Sequence, residues 1–281
     1  MSVEALPSPA ARPARRRPAA PVWRSYGPPA VLIGVLLVIW QVLAQAQAIP
    51  SYILPTPTAI LAATGQNWSL MLPHIGQTLQ QVLWGIGLAV IIGVALAAAV
   101  DLSPWLRRAL YPLLVASQTI PILALAPLLI IWFGFGLTPK VFIVTLFCFF
   151  PIAINTADGL GAADPELLSL LRAMGASRRQ IWTKVRLPAS LPYFFSGLRI
   201  AATYSVTGAI IGEWVGASQG LGIYMLRSAN AFKTDQVFSA ILVSSLLSLI
   251  LFGLVFLAER LLLPWYHSSQ RAEQWRENAS R

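Results

Sequence analysis

Ser218 is the residue of this sequence whose surroundings most resemble those of a catalytic nucleophile. It lies at the centre of Gly216-Ala217-Ser218-Gln219-Gly220, which matches the G-x-S-x-G turn of serine hydrolases. That turn requires a strand before the serine, a helix after it and a histidine base within reach. Here a membrane-type apolar segment precedes the turn, and the two histidines, His74 and His267, are predicted on opposite sides of the membrane. No histidine base is then within reach, so we favour a glycine-rich turn at the outer membrane edge over a hydrolase site.

The sequence also lacks the loop that binds nucleotide phosphates. A P-loop contains Gly-Lys, but none of the three lysines, Lys140, Lys184 and Lys233, follows a glycine. The chain therefore cannot hold ATP by a P-loop, and any ATP hydrolysis that drives it must come from a partner. The single cysteine, Cys148, lies in an apolar segment, so neither an intrachain disulfide nor a zinc cluster is expected. We predict no catalytic residues, no metal site and no cofactor bound by this chain.

Polar and ionisable side chains within apolar segments are the candidates for a transport pathway. Arg199 and Glu213 are the ionisable ones, and charges at membrane depth are costly and often functional. Arg199 lies near the cytosolic end of its segment, so its head group could instead extend to the interface. Weaker candidates could equally form hydrogen bonds between helices, and they are Ser117, Gln118, Thr119 and Asn155.

Three glycines recur every fourth residue beside these candidates. Gly208, Gly212 and Gly216 share one face of a predicted helix, and small residues at this spacing allow helices to approach closely. Packing within the chain and contact with a second copy of the chain are equally compatible with this pattern.

The composition requires a membrane around these residues. Hydrophobic residues make up 57% of the 281 residues and charged residues only 11%, whereas a soluble domain has about a quarter charged residues. A charge at the centre of a bilayer costs about 2.5–3.5 kcal/mol, which explains why long runs contain none. The net charge of +10 could indicate a nucleic acid partner. We exclude nucleic acid, because the basic residues lie between apolar runs rather than on one soluble face.

Six apolar runs predict an all-α, polytopic membrane protein with about six transmembrane helices. Most are close to the ~20 residues that cross a bilayer as helix, and they cover residues 30–47, 78–100, 111–133, 141–157, 193–215 and 237–263. Pro121 and Pro127 are predicted to kink the third helix. The first run could instead be a cleaved signal peptide, since Ala44-Gln45-Ala46 resembles a cleavage site. We favour a retained anchor.

Lysine and arginine counts set the predicted orientation. Sixteen of them fall on one side of six spans and three on the other, which places both termini in the cytosol. Residues 1–29, rich in Pro, Ala and Arg, are predicted to be a disordered basic cytosolic tail. Residues 30–265 form the predicted transmembrane domain, and residues 266–281 form a cytosolic C-terminal tail.

Residues 158–192, which we call the link segment, contain the most informative pattern of the chain. Asp164 before Pro165 predicts a helix start, and apolar residues follow at helical spacing. Gly175 interrupts this pattern, and a second short helix is predicted to end at Pro188. A loop that only joins two spans needs a few residues, so this amphipathic cytosolic segment indicates a docking surface.

The link segment resembles the loop signature of binding-protein-dependent ABC permeases, E-A-A-x3-G-x9-I-x-L-P. Gly175 and Leu187-Pro188 match the signature, whereas Val185 replaces Ile and Ser169-Leu170-Leu171 replaces Glu-Ala-Ala. Glu166 is a possible substitute for the missing acidic residue. The resemblance covers about residues 35–265, and Gln118-Thr119-Ile120-Pro121 and Gly212-Glu213-Trp214 resemble the branch that transports nitrate, sulfonates, taurine and thiamine-precursor pyrimidines.

This resemblance implies the permease subunit of a type I ABC importer in the bacterial inner membrane, and no enzyme. It implies an ATPase subunit dimer that carries ATP and Mg, an external substrate-binding protein and a second permease copy. The residues expected to contact the ATPase are Glu166, Leu170, Leu171, Ala173, Met174, Gly175, Ala176, Ser177, Leu187 and Pro188. The expected substrate is a pyrimidine thiamine precursor or riboflavin, with nitrate, taurine or sulfonates as alternatives. A secondary transporter is the rival class.

Overall fold

The protein is all-helical in the residues that the structure, a computed structural model, describes, namely 22–46 and 50–266. The helices are α1 Val22–Gln45, α2 Pro57–Gln66, α3 Trp68–Leu102, α4 Pro104–Ser117, α5 Ile122–Phe133, α6 Leu137–Gly161, α7 Pro165–Ala173, α8 Arg178–Ile181, α9 Leu187–Trp214, α10 Leu221–Asn230 and α11 Thr234–Leu262. A π-helical turn, Trp182–Arg186, joins α8 to α9. The predicted fold class is confirmed.

Five continuous helical segments of the described chain are long and apolar enough to span a membrane. They are Gly27–Gln45, Trp68–Leu102, Leu137–Gly161, Arg178–Trp214 and Thr234–Leu262. Helices α4 and α5 form a sixth candidate only when they are taken together, because they meet at 99°. Six spans are therefore present if this bent pair counts as one.

The third span differs from the kinked single helix that the sequence predicts. The helix ends at Ser117 and resumes at Ile122, with Pro121 in extended conformation (φ −68°, ψ 106°) at the start of α5. Proline disfavours helical geometry in the residue before it and donates no hydrogen bond, so the chain breaks here rather than bends. Pro127 lies inside α5 without ending it.

Helices α3, α6 and α9 form the centre of the protein. Small side chains let them approach closely, and the buried cluster between them includes Ala89, Cys148, Ala201, Ala202 and Ala209. Helix α11 packs against α9 and α10 on one side of this centre. The outer faces of the long helices remain apolar and exposed, as expected where lipid rather than water surrounds them.

Helix α1 contacts α2 and the segment before it, and the centroid of its Trp40 ring lies 6.1 Å from that of Phe238 on α11. The Trp40 indole donates a hydrogen bond to the Pro55 carbonyl at 3.1 Å, and the Gln41 side chain donates to Thr58 at 3.1 Å. Helix α1 begins at Val22, so the predicted tail of residues 1–29 is helical in its last part. Residues 1–21 and 267–281 lie outside the described residues, and the rest of the two tails stays a prediction, as does retention of α1.

Candidate functional site

The link segment begins with α7, whose start follows the predicted cap. The Asp164 carboxylate accepts a hydrogen bond from the Glu166 N–H at 2.8 Å, and Pro165 is the first helical residue. The inner face of α7 packs Leu168 against Ile181 of α8 in a small buried cluster. The predicted pair of amphipathic helices is therefore present, and each buries its apolar face against the other.

Gly175 ends α7 in a tight glycine turn. Its φ of +81° is left-handed, its N–H donates to the Arg172 carbonyl at 3.0 Å, and the Ala176 N–H donates to the Leu171 carbonyl at 3.0 Å. This pair of bonds is the Schellman arrangement, which favours glycine because other residues strain at positive φ. No atom lies within 4 Å of the place where a Cβ would stand. Backbone conformation, rather than lack of space, therefore requires glycine here.

The second helix of the link segment continues into the fifth span. Ser177 and Gln180 form a capping box, with bonds of 3.2 Å and 2.8 Å, that starts α8. The helix then widens into the π turn, where the Leu187 N–H donates to the Trp182 carbonyl. The prediction that this helix ends at Pro188 is wrong. A proline ring normally clashes with the preceding helical turn, and the wider π turn gives it room.

The tip of the link segment presents an uncovered apolar surface. Met174 is 74% exposed and Leu170 is 58% exposed beside the Gly175 turn. Of the other predicted docking residues, the exposed ones are Glu166, Ala173, Ser177 and Leu187, while the partly buried ones are Leu171, Ala176 and Pro188. Exposed apolar side chains that stand together outside the spans indicate a protein contact surface.

Two contacts anchor the link segment to the neighbouring spans. The Arg186 guanidinium lies 2.5 Å from the Asp101 carboxylate at the end of α3. Trp182 packs against a buried cluster that Val100 of α3 and Leu160 of α6 share. The tip is therefore connected to α9 by continuous helix and to α3 by this ion pair.

Three of the predicted pathway residues stand at the break of the third span. Gln118 and Thr119 are exposed between α4 and α5, and Ser117 is half-buried beside them. The Ser117 hydroxyl donates to the Leu114 carbonyl at 2.8 Å and the Thr119 hydroxyl to the Ala116 carbonyl at 2.7 Å. Irregular backbone at membrane depth is tolerated where it faces protein or a water-filled cavity.

Arg199 is paired within the chain. Its guanidinium lies 2.9 Å from the carboxylate of Glu259 on α11, which is 3% exposed. Asn155, another predicted pathway residue, is half-buried and donates a hydrogen bond to the Pro151 carbonyl at 2.7 Å. Both side chains therefore have partners that would account for them without a substrate.

Glu213 is fully buried and holds the start of α10. Its carboxylate accepts hydrogen bonds from the Thr78 hydroxyl at 2.7 Å and from the Gly222 N–H at 2.6 Å. Thr78 in turn accepts from the Leu221 N–H at 2.9 Å. Gly220 leaves no room for a side chain, because a Cβ there would overlap the Glu213 carboxylate. The network joins α3, α9 and α10 at the end of α9 that is remote from the link segment.

The repeated glycines of α9 face α6 and the loop before it. A Cβ on Gly208 would lie 2.9 Å from the Phe147 ring, and one on Gly216 would lie 2.8 Å from the Phe135 ring. A Cβ on Gly212 would lie 3.4 Å from the Lys140 Cα. The three glycines could serve packing within the chain or contact with a second copy. These contacts are examples of packing within the chain.

The loop around Ser218 does not form a hydrolase elbow. Helix α9 precedes it, where an elbow requires a strand. The expectation that no histidine is near is wrong for His74, whose Nδ1 accepts a hydrogen bond from the Gly220 N–H at 2.9 Å. That bond holds the backbone of the turn and does not involve the Ser218 hydroxyl. His267 lies outside the described residues.

The described residues contain no group of three or more His, Cys, Asp or Glu side chains placed to hold a metal ion. Cys148 is buried between spans, and its thiol donates to the Ala201 carbonyl at 3.4 Å. Cys148, Arg199, Asn155 and Glu213 all have partners within the chain. The link segment, with its exposed apolar tip, is therefore the part of the described chain best suited to a functional contact.

Comparison with known proteins identifies relatives along most of the chain. Residues 85–264 match the family model described as "Binding-protein-dependent transport system inner membrane component". The "Formylaminopyrimidine transport permease protein ThiX" of Halalkalibacterium halodurans is 40% identical over 84% of this chain and 95% of the relative. The "Riboflavin transport system permease protein RibX" of Chloroflexus aurantiacus is 37% identical over 86% and 91%. The "Taurine transport system permease protein TauC" of Escherichia coli is 32% identical over 85% and 89%.

A solved structure has the same fold. It is described as "Inward facing conformations of the MetNI methionine ABC transporter", and the matched chain superposes with a TM-score of 0.62 at 20% identity. The match covers 69% of this chain and 97% of the other.

Proposed function

Since this chain belongs to the family of binding-protein-dependent transport system inner membrane components and is the permease subunit of an ABC importer, we propose that it carries a small nitrogen heterocycle into the cell. The substrate class is a pyrimidine precursor of thiamine or a flavin such as riboflavin. The two relatives whose names state these compounds are 40% and 37% identical to this chain, against 32% for the taurine permease. This difference is the observation that favours a heterocycle.

Taurine, aliphatic sulfonates and nitrate are the alternative substrates. Nitrate and aliphatic sulfonates are small anions and taurine carries a sulfonate group, so a pathway for them would be expected to offer free cationic side chains. Arg199, an arginine within a span, is instead paired with Glu259 at 2.9 Å. A neutral, planar substrate is more compatible with a pathway whose exposed polar groups are hydroxyls and amides, such as those of Gln118 and Thr119.

The link segment is the proposed contact with the ATPase. Met174 and Leu170 form an apolar tip that would fit a cleft on a partner, and the Gly175 turn fixes its shape. Helix runs from the Ser177 cap through the π turn into α9 without interruption. Closure of an ATPase pair would then move the inner end of the fifth span, and alternating access follows from two states that make different contacts.

The complete transporter in this proposal contains two copies of this chain, two ATPase subunits and an external substrate-binding protein. ATP and Mg are held by the ATPase subunits. Sixteen lysines and arginines on the side of the link segment support a cytosolic location for it and for both termini. Nothing in the described residues favours the rival secondary transporter, which would not need an ATPase contact.

Uptake by the assembled transporter tests the substrate. The chain is expressed with its ATPase and binding protein in cells that lack their own uptake systems, and labelled formylaminopyrimidine, riboflavin, taurine and nitrate are compared. We expect ATP-dependent uptake of one heterocycle and of neither taurine nor nitrate. Uptake of taurine or nitrate alone would contradict the heterocycle proposal, and uptake that survives loss of the ATPase would favour a secondary transporter.

A further inference from the structure

A cavity of about 840 Å³ lies where the link segment meets the ends of α3 and α4. Its volume is within the ~300–1,000 Å³ range of sites that bind small molecules. One wall belongs to the link segment and carries arginines, and the other belongs to the spans and carries Ala98, Leu102 and Pro104 together with the carboxylate of Asp101. We propose that this arginine cavity binds the head group of an anionic phospholipid from the cytosolic leaflet. The proposal rests on the proposed function for the side of the membrane on which the cavity lies.

The arginine wall carries more positive charge than the chain neutralises. Arg172, Arg178, Arg179 and Arg186 all line the cavity. Of these four arginines, only Arg186 forms an ion pair, with Asp101, among the residues that the structure describes. Guanidinium groups bind phosphate oxygens in pairs, so three arginines without acidic partners match a phosphate group.

A buried donor inside the cavity also lacks a partner. The Trp182 indole N–H is shielded from solvent and makes no hydrogen bond within the described residues, although Trp182 lines the cavity. A buried donor that finds no acceptor costs about 1–3 kcal/mol. A turn of the Trp182 ring would bring this N–H into the cavity, where a phosphate or glycerol oxygen would supply the missing acceptor.

The apolar wall favours a lipid over a soluble phosphate compound. Leu102 is 70% exposed on the cavity side of α3, and Trp105 at the start of α4 is 74% exposed next to it. Tryptophan is enriched at the level of lipid head groups, where its ring is half in lipid and half in water. A head group between the arginines would leave its acyl chains beside these two side chains. Contact with the ATPase is assigned instead to the tip at Met174, which is 74% exposed, and of the residues expected to contact the ATPase only Ala176 lines this cavity.

Lipid retention by the purified full chain tests this proposal. The protein is placed in nanodiscs that contain phosphatidylcholine with and without phosphatidylglycerol, and lipids that remain bound are identified by native mass spectrometry. We expect selective retention of phosphatidylglycerol by the unmodified chain. In the variant with Arg178→Gln and Arg179→Gln, we expect about fivefold weaker retention for each arginine removed.

Matched variants distinguish lipid binding in the cavity from a general effect of the protein's positive charge. Lys184→Gln with Arg260→Gln removes two exposed positive charges that do not line the cavity, and it should retain phosphatidylglycerol normally. Arg178→Lys with Arg179→Lys should be intermediate, which also controls for misfolding of the glutamine variant. Equal retention by the glutamine variant and the unmodified chain would overturn the proposal.

Two other outcomes would assign the cavity differently. If inorganic phosphate stabilises the lipid-free protein in detergent and the arginine variant abolishes that effect, while phosphatidylglycerol is not retained selectively, the ligand is soluble and the lipid proposal is overturned. If the arginine variant retains lipid but loses the co-purifying ATPase, the arginines contact the ATPase and the proposal is again overturned. Neither measurement uses the transported substrate, so failure of the substrate proposal leaves the lipid result unaffected.

Discussion

The Arg199 guanidinium lies 2.9 Å from the Glu259 carboxylate and ties the fifth span to the last one. Glu259 is 3% exposed, and this arginine is the charged group that lies beside its buried carboxylate. Breaking a buried ion pair by removing one member is strongly destabilising, because the other charge stays buried without compensation. The ion pair therefore stabilises the packing of α11 against α9.

Removing the arginine alone should cost more than removing both charges. We expect Arg199→Met to destabilise the protein by about 3–5 kcal/mol, and the double variant Arg199→Met with Glu259→Gln to recover more than half of that loss. Thermal unfolding in detergent, followed by size-exclusion chromatography, measures both. If the two variants melt at the same temperature, the ion pair contributes little and Arg199 is free to line the pathway.

Substitutions of Gly175 should be tolerated according to how readily the new residue adopts a positive φ. Its φ of +81° costs other residues about 1–2 kcal/mol, although no neighbouring atom blocks a side chain. We expect Gly175→Asn to retain most transport, Gly175→Ala to reduce it, and Gly175→Pro or Gly175→Trp to abolish it with membrane insertion intact. Uptake and co-purification of the ATPase are the two measurements.

Gly253→Ala is a control for the alanine variant, since Gly253 also has open space around it but lies within a regular helix. It should leave transport unchanged. Normal uptake by Gly175→Pro would contradict the assignment of the link segment as the ATPase contact.

The fold and the link segment could be predicted because their signals are local. Apolar runs mark the spans, Asp164 before Pro165 marks a cap, and a glycine after a helical pattern marks the Gly175 turn. The partner of Arg199 could not be predicted, because Glu259 reaches it only through the packing of α11 on α9. The same holds for Thr78 beside Glu213. Pairing between distant segments depends on the tertiary arrangement, and no spacing within one segment encodes it.

We expect Glu213 to stabilise the start of α10 by accepting hydrogen bonds from two buried donors. Glu213→Ala would leave the Gly222 N–H and the Thr78 hydroxyl without an acceptor in a buried place, at about 1–3 kcal/mol for each. Glu213→Gln keeps one acceptor and should be milder. We expect hydrogen exchange at the start of α10 to rise strongly in the alanine variant and slightly in the glutamine variant. Unchanged exchange in both would show that the network does not hold α10.

Gly208 should be intolerant of larger residues because of one aromatic ring. A Cβ there would lie 2.9 Å from Phe147, so Gly208→Val should overpack the contact between α9 and α6 and destabilise the protein by about 1–3 kcal/mol. Phe147→Leu should relieve part of that loss in the double variant. Thermal unfolding of the four proteins in one cycle tests this. If Phe147→Leu gives no relief, the glycine serves a contact outside the chain, such as a second copy.

The break between α4 and α5 should be open to water, since the polar residues Gln118 and Thr119 are exposed there between the two halves of a candidate span. Cysteines introduced one at a time in a Cys148→Ser background can be labelled with a charged, water-soluble maleimide in the assembled transporter. We expect Gln118→Cys and Thr119→Cys to react readily, and their rates to change when the ATPase is trapped with nucleotide.

Leu249→Cys is the matched control, because Leu249 is 65% exposed on α11 but is expected to face lipid. Exposure to lipid does not ionise a thiol, and only the thiolate reacts, so this control should stay unlabelled. If Gln118→Cys is as unreactive as Leu249→Cys, the break faces lipid or protein, and the transport pathway must be sought along other helices.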